Sequence, residues 1–149
     1  MAGHRGTHAG TPSRADSDSV TEDGPRNDEF AALLGIDVER LGPGHTAASL
    51  TTHGQHANPH GTVHGAVFYA VAGAAVAAAA NDDEHSGIVS SVLVEYLQPA
   101  AIGDVLRAEI VREVSTGRED IFTGLVRRGE GGEPLAWVRA RGTRRSRKA

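Results

Sequence analysis

Between His53 and Ala80 the sequence HGQHANPHGTVHGAVFYAVAGAAVAAAA gathers its polar groups into the first half and loses them in the second. Four histidines, His53, His56, His60 and His64, recur at spacings of three, four and four. On a helix that spacing would give a stripe of metal ligands. Gly54, Pro59 and Gly61 interrupt it, so the segment is expected to be a polar loop with no metal bound. At the end of the loop HGA turns into an alanine-rich helix. The first N–H groups of a helix have no intrahelical acceptor and lie at the positive end of the dipole. A carbonyl oxygen that gains negative charge beside Gly65 would be stabilised there, and glycine lets a reacting group come close to the backbone. Asn58, just before Pro59, suits either a polar contact or a simple turn, and His64 either a reactive contact or a loop-holding hydrogen bond. Ser90 and Ser91 begin a strand expected to be central, and one of the two should face the pocket because strand neighbours alternate. Glu95, further along that strand, is expected to face solvent.

These groups need elements to hold them. NDEFAALLG has the marks of a short helix: Asn27 or Asp28 to cap it, an apolar face of Phe30, Leu33 and Leu34, and Gly35 to stop it. IDVERLGPGHTAASLTT alternates about a Gly-Pro-Gly turn, as a hairpin does. Val63 to Ala80 is the one long segment of strong helical propensity, closed by NDD. From Gly87 onward IVSSVLVEYLQP, GDVLRAEIVREVSTG, REDIFTGLVRR and EPLAWVRARGT all have strand character, with GEGGE as a turn. The expected order is helix, two strands, long helix and four strands in meander, an α+β domain. The long helix is apolar all round, which calls for burial inside a curled antiparallel sheet of five or six strands. Pairing the open sheet edges across a two-fold axis would remove them, so at least a dimer is expected.

The 149 residues suit one domain with two tails. Residues 1–26 are poor in large apolar side chains and are expected to be a disordered tail. Residues 27–143 form the domain, and the basic residues 144–149 fray from its end. The first segment lacks the apolar run of a signal peptide, and no stretch is long and apolar enough to span a bilayer. The chain contains no cysteine, which excludes disulfides and a thiol nucleophile. A net charge of −4 singles out no partner, and the Arg-rich end is expected to be a solubilising tail. A soluble cytoplasmic protein is expected, without nucleic-acid or membrane partners.

Several motifs together resemble the hotdog-fold thioesterases, in the PaaI-like branch of the 4-hydroxybenzoyl-CoA thioesterase superfamily. They are FAALLGIDVERLGPG, NPHGTVHGA, VEYLQPAAIGD and STGRED, and the resemblance spans about residues 29–143. It implies a long helix inside a curved antiparallel sheet, dimers or dimers of dimers, and hydrolysis of acyl thioesters at the dimer interface. By the same resemblance Gly65 supplies an N–H to the oxyanion, Asn58 lies near the carbonyl or the attacking water, and His64 shapes the loop or touches the thioester. Ala66, Tyr69, Gly73, Ser90 and Ser91 are the expected substrate contacts. No cofactor is implied beyond the CoA or phosphopantetheine of the substrate.

The sequence departs from the family pattern at two places. Ala66 replaces the second glycine of H-G-G, and Gly73 stands where the pattern carries the catalytic Asp or Glu. No carboxylate occurs between Val63 and Asn81. A mid-helix glycine costs roughly 1 kcal/mol relative to alanine. Either close packing against another backbone or open space for a bulky acyl group accounts for that cost. The expected activity is therefore thioester hydrolysis on a bulky or aromatic acyl group without the helix carboxylate. The alternatives are a repurposed hotdog protein that cyclises, dehydrates or isomerises its ligand, and a non-catalytic binding protein.

Overall fold

The computed structural model describes residues 27–81 and 85–146. The expected tail at 1–26 lies outside these residues, as do 147–149. Helix α1 (Glu29–Leu34) is capped by Asp28, whose side chain accepts from the Ala31 N–H at 2.9 Å. It stops at Gly35, which adopts the left-handed conformation (φ 76°) that glycine tolerates best. Its face differs from expectation, since Ala31 is buried whereas Phe30 and Leu33 are 64% and 79% exposed. Strands β1 (Asp37–Gly42) and β2 (His45–Thr51) form the expected hairpin. A 3-10 turn (Gly54–His56) and the rest of the loop lead to α2 (Gly65–Ala80), which starts two residues later than the sequence suggests. Strands β3 (His85–Tyr96), β4 (Val105–Ser115), β5 (Glu119–Arg128) and β6 (Pro134–Ser146) complete the domain.

The six strands make one antiparallel sheet in the order β1-β2-β4-β5-β6-β3. Only β4, β5 and β6 form a meander, because β3 crosses over to pair with β6. That places Ser90 and Ser91 on an edge strand rather than a central one. The curved sheet cups α2, packing it mainly against β4, β3 and β2. Small side chains allow the close approach: Ala48, Ala72, Ala75 and Ala108 are fully buried, and the Thr46 hydroxyl donates to the Ala75 carbonyl at 2.6 Å. Phe122, Leu106, Ile110 and Leu135 fill the core, each contributing about 1.5–3 kcal/mol.

The helix is less enclosed than an all-apolar sequence implies. Ala66 and Tyr69 are exposed, and Ala70, Gly73 and Ala77 are half-buried, a stripe spaced three, one, three and four residues apart. Asn81 ends the helix and ties it to β3, with its Nδ2 donating to the Ala77 carbonyl at 2.8 Å and its Oδ1 accepting from the Gly87 N–H at 3.2 Å.

Beside this junction β6 does not fray after Thr143 but pairs with β3 through Ser146. The Arg144 guanidinium reaches the buried Asp120 carboxylate at 2.8 Å, and Arg112 approaches the same group at 3.4 Å. A buried carboxylate needs such partners, and the pairing holds the end of β6 against the β4–β5 turn.

Candidate active site

The loop from His53 to His64 is built almost entirely from its own hydrogen bonds. His53 caps the 3-10 turn, and its Nδ1 accepts from the Gln55 N–H at 3.3 Å. The His56 Nδ1 accepts in turn from the His53 N–H at 3.0 Å, and the two rings lie 3.9 Å apart. Burial, and then the neighbouring His53, lower the His56 pKa below its usual 6.5. The Asn58 Oδ1 accepts from the N–H groups of His60 (2.9 Å) and Thr62 (3.1 Å), while its Nδ2 donates to the Thr62 Oγ1 at 2.8 Å. Among the described residues no three His, Asp or Glu side chains come together as metal ligands.

The loop delivers its end to the start of α2. The His64 N–H donates to the His56 carbonyl at 2.8 Å, and its Nδ1 caps the helix by accepting from the Ala66 N–H at 2.9 Å. The Val67 N–H is also satisfied, by the His64 carbonyl at 2.9 Å. The Gly65 N–H has no acceptor among the described residues. On the other side of the same residue, the Tyr96 hydroxyl donates to the Gly65 carbonyl at 2.8 Å. A Cβ at position 65 would lie 3.0 Å from that hydroxyl oxygen and 3.1 Å from the ring carbon bearing it, so glycine is what lets Tyr96 sit there. The edge of Tyr96 meets Phe68 with ring centroids 5.5 Å apart.

Gly65, Asn58, Thr62, Phe68, Tyr96 and Gln98 line a cleft of about 360 Å³. Among its polar groups Gly65 and Asn58 present hydrogen-bond donors, while Thr62, Tyr96 and Gln98 carry oxygens that can also accept. Both lone pairs of the Asn58 Oδ1 are used, which leaves one Nδ2 hydrogen for a ligand. With Nδ1 accepting from Ala66, the neutral His64 ring carries its proton on Nε2 and is a donor as well. Gly65, Asn58 and His64 therefore offer N–H groups suited to an oxygen that becomes negative, and none of them is a ready base.

The structure brings together only part of the expected site. Gly65 and Asn58 share the cleft, whereas His64 caps the helix and is not among the residues that line it. Ala66 lines a different cleft, with Phe30, Leu34, Leu50, His56, Val67 and Ala70. Tyr69, Gly73, Ser90 and Ser91 line neither. The Tyr69 hydroxyl donates to the Val92 carbonyl at 3.2 Å. Ser90 is the extra residue of a β-bulge, and its hydroxyl donates to the Arg141 carbonyl at 3.1 Å. Gly73 lies eight residues from Gly65, about 12 Å along the helix axis. A carboxylate there would not meet the Gly65 N–H of its own protomer. A Cβ at 73 would meet nothing within 4 Å, so close packing within this chain does not account for the glycine.

Sequence reasoning missed Tyr96, Phe68, Thr62 and Gln98. An aromatic two residues before Gln98 in EYLQP was the available signal, but the crossover that brings the end of β3 to the start of α2 is not visible in local pattern.

A curved antiparallel sheet around one long helix, with the helix start facing a cleft, defines a hotdog-fold protein. The Thioesterase superfamily model matches residues 60–130. Acyl-coenzyme A thioesterase PaaI of Escherichia coli is 32% identical over 82 residues, 55% of this chain and 59% of that protein. The chain thus spans somewhat more than half the length of the curated relative it matches. The structure of E. coli PaaI superimposes with a TM-score of 0.74 at 24% identity, covering 80% of this chain and 86% of that one. The TT0310 protein of Thermus thermophilus superimposes with a TM-score of 0.73 at 27% identity, covering 79% of this chain and 98% of that one. The chain has the hotdog fold of these structures, and over residues 60–130 it is similar to the thioesterase superfamily.

Proposed function

We propose that the protein hydrolyses acyl-CoA or acyl-carrier-protein thioesters, acting on a bulky or aromatic acyl group without a helix carboxylate. The unpaired Gly65 N–H at the positive end of α2, opening on a cleft beside the free Asn58 Nδ2 hydrogen, carries this reading. Water adds to the thioester carbonyl carbon, and the carbonyl oxygen takes the negative charge against Gly65 and Asn58. The C–S bond then breaks. The thiolate leaves readily, as a thiol has a pKa near 8.5, and it accepts the proton lost by the water. The open space at Gly73 and the alanines around it support a large acyl group.

The active form in this reading is a dimer or dimer of dimers. The exposed edge strand β3, with Ile88 and Leu93, and the uncovered α2 stripe support it. Position 73 of one copy would then stand at the cleft of the other. Release of free thiol from a panel of acyl-CoAs, small to aromatic, tests the reading, with turnover expected on the larger members. That none of Gly65, Asn58 and His64 is a ready base also favours a second reading, in which the pocket binds or rearranges a ligand without hydrolysis. Tight binding of acyl-CoA with no thiol release would select that one.

A further inference from the structure

The second cleft, of about 230 Å³, is more enclosed than the first and lies on the opposite face of the α2 start. At 100° per residue, positions 65 and 68 point one way and 66, 67 and 70 the other. Phe30, Leu34, Leu50, Val67 and Ala70 make its walls apolar, and His56 is the one polar side chain among the described residues that line it. The His56 Nδ1 is committed to the His53 N–H, so the neutral ring must carry its proton on Nε2. That N–H has no partner among the described residues. Burial, and then the tilted His53 ring 3.9 Å away, lower the pKa of this imidazole and so favour its neutral form.

We infer that His56 is a specificity-determining residue: its Nε2–H selects, in the apolar cleft beside Ala66, an acyl group that carries an oxygen acceptor. The inference deepens the thioesterase reading and rests on it for the identity of the occupant. Ala66 follows Gly65 directly at the first turn of α2, so an arm of a thioester held at Gly65 would enter this cleft by rounding the N-terminal end of the helix. The cleft is too small for a whole ligand and suits one arm of it. A plain hydrocarbon chain there would bury the His56 N–H with no acceptor, whereas a keto, ether or hydroxyl oxygen would satisfy it. A neutral donor favours such an uncharged oxygen over a carboxylate.

The test uses acyl-CoA analogues in which a methylene replaces the thioester sulfur, so that they bind without turning over. One analogue has a plain six-carbon acyl chain, and the others carry a single keto oxygen moved along it. Calorimetry on the full-length protein should show the best keto analogue binding about tenfold more tightly than the plain one. His56→Leu should abolish that preference, weakening the keto analogue and sparing the plain one, and His56→Gln, which retains an N–H, should restore part of it. Ala70→Phe should fill the cleft and weaken both. Should the leucine variant not fold, the glutamine and Ala70 variants decide.

No discrimination by the wild type, an unchanged preference in folded His56→Leu, or unchanged binding in Ala70→Phe would overturn the inference. Thiol release from the matching thioesters separates it from the broader reading. A His56-dependent preference without hydrolysis removes the hydrolytic function and leaves the His56 assignment. Hydrolysis of both thioesters with no dependence on His56 does the reverse.

Discussion

Gly73→Asp restores the acid that the family pattern places on the helix. Its cost in stability should be small. Nothing lies within 4 Å of the added Cβ, and aspartate in a helix is a few tenths of a kcal/mol better than glycine. Partial desolvation of the carboxylate at this half-buried position offsets that gain, so the melting temperature should move by no more than about 5 °C. The catalytic effect should be large. General-base assistance is worth about 10²–10⁴-fold, and kcat/KM on acetyl-CoA and other small thioesters should rise within that range. Bulky acyl groups should gain less or lose activity, since the carboxylate occupies their space. The 12 Å separation from Gly65 along the helix adds a condition: the gain must come from a second copy, so it should vanish on dilution below the dimer dissociation constant. Thiol release read by a chromogenic disulfide, alongside light scattering for mass, measures both. A folded, dimeric variant that gains nothing on any small thioester would refute the shared-site reasoning, and so would a gain that persists in the monomer.

Other perturbations probe single contacts. Asn58→Asp keeps the Oδ1 acceptor for His60 and Thr62 but replaces the donor with negative charge, so the fold should survive while thiol release falls about 10²–10³-fold. Tyr96→Phe removes the 2.8 Å bond to the Gly65 carbonyl but not the edge contact with Phe68, and should lower stability to urea by about 1 kcal/mol. Gly124→Ala drives a Cβ into the Glu109 carbonyl oxygen of β4, and should cost about 1–3 kcal/mol in the same assay. His56 has a folded pKa below its unfolded value. Its contribution is therefore complete above about pH 6.5 and is lost as pH falls towards the folded pKa, where the unfolded chain binds the extra proton. Urea midpoints at pH 7.5 and 5.5 should differ less in His56→Gln than in the wild type.

Much of the architecture could be read from local pattern because each element carries its own signal. Asp28 and Gly35 bound α1, Gly-Pro-Gly turns the β1–β2 hairpin, and the alanine-rich segment from Ala66 to Ala80 carries its own helical propensity. Strand order was not legible, since β3 pairs with β6 across the whole intervening β4–β5 unit and no local feature of IVSSVLVEY specifies that partner. The same gap hid part of the site. Tyr96 reaches Gly65 only because β3 runs back along α2, whereas Gly65 itself was visible where the loop turns into the helix. His64 was legible as a loop-to-helix residue but not as a committed cap. Its Nδ1 is spent on the Ala66 N–H, a geometric fact that residue type does not reveal.

The central claim is that the Gly65 N–H receives the thioester carbonyl oxygen. Amide NMR reads that group directly: the protein, labelled with ¹⁵N, is titrated with the methylene analogue of an acyl-CoA, which keeps the carbonyl. The Gly65 amide proton should move downfield by more than those of Ala66 and Val67, whose acceptors are already in place. A saturating titration in which Gly65 stays still while other residues shift would contradict the account.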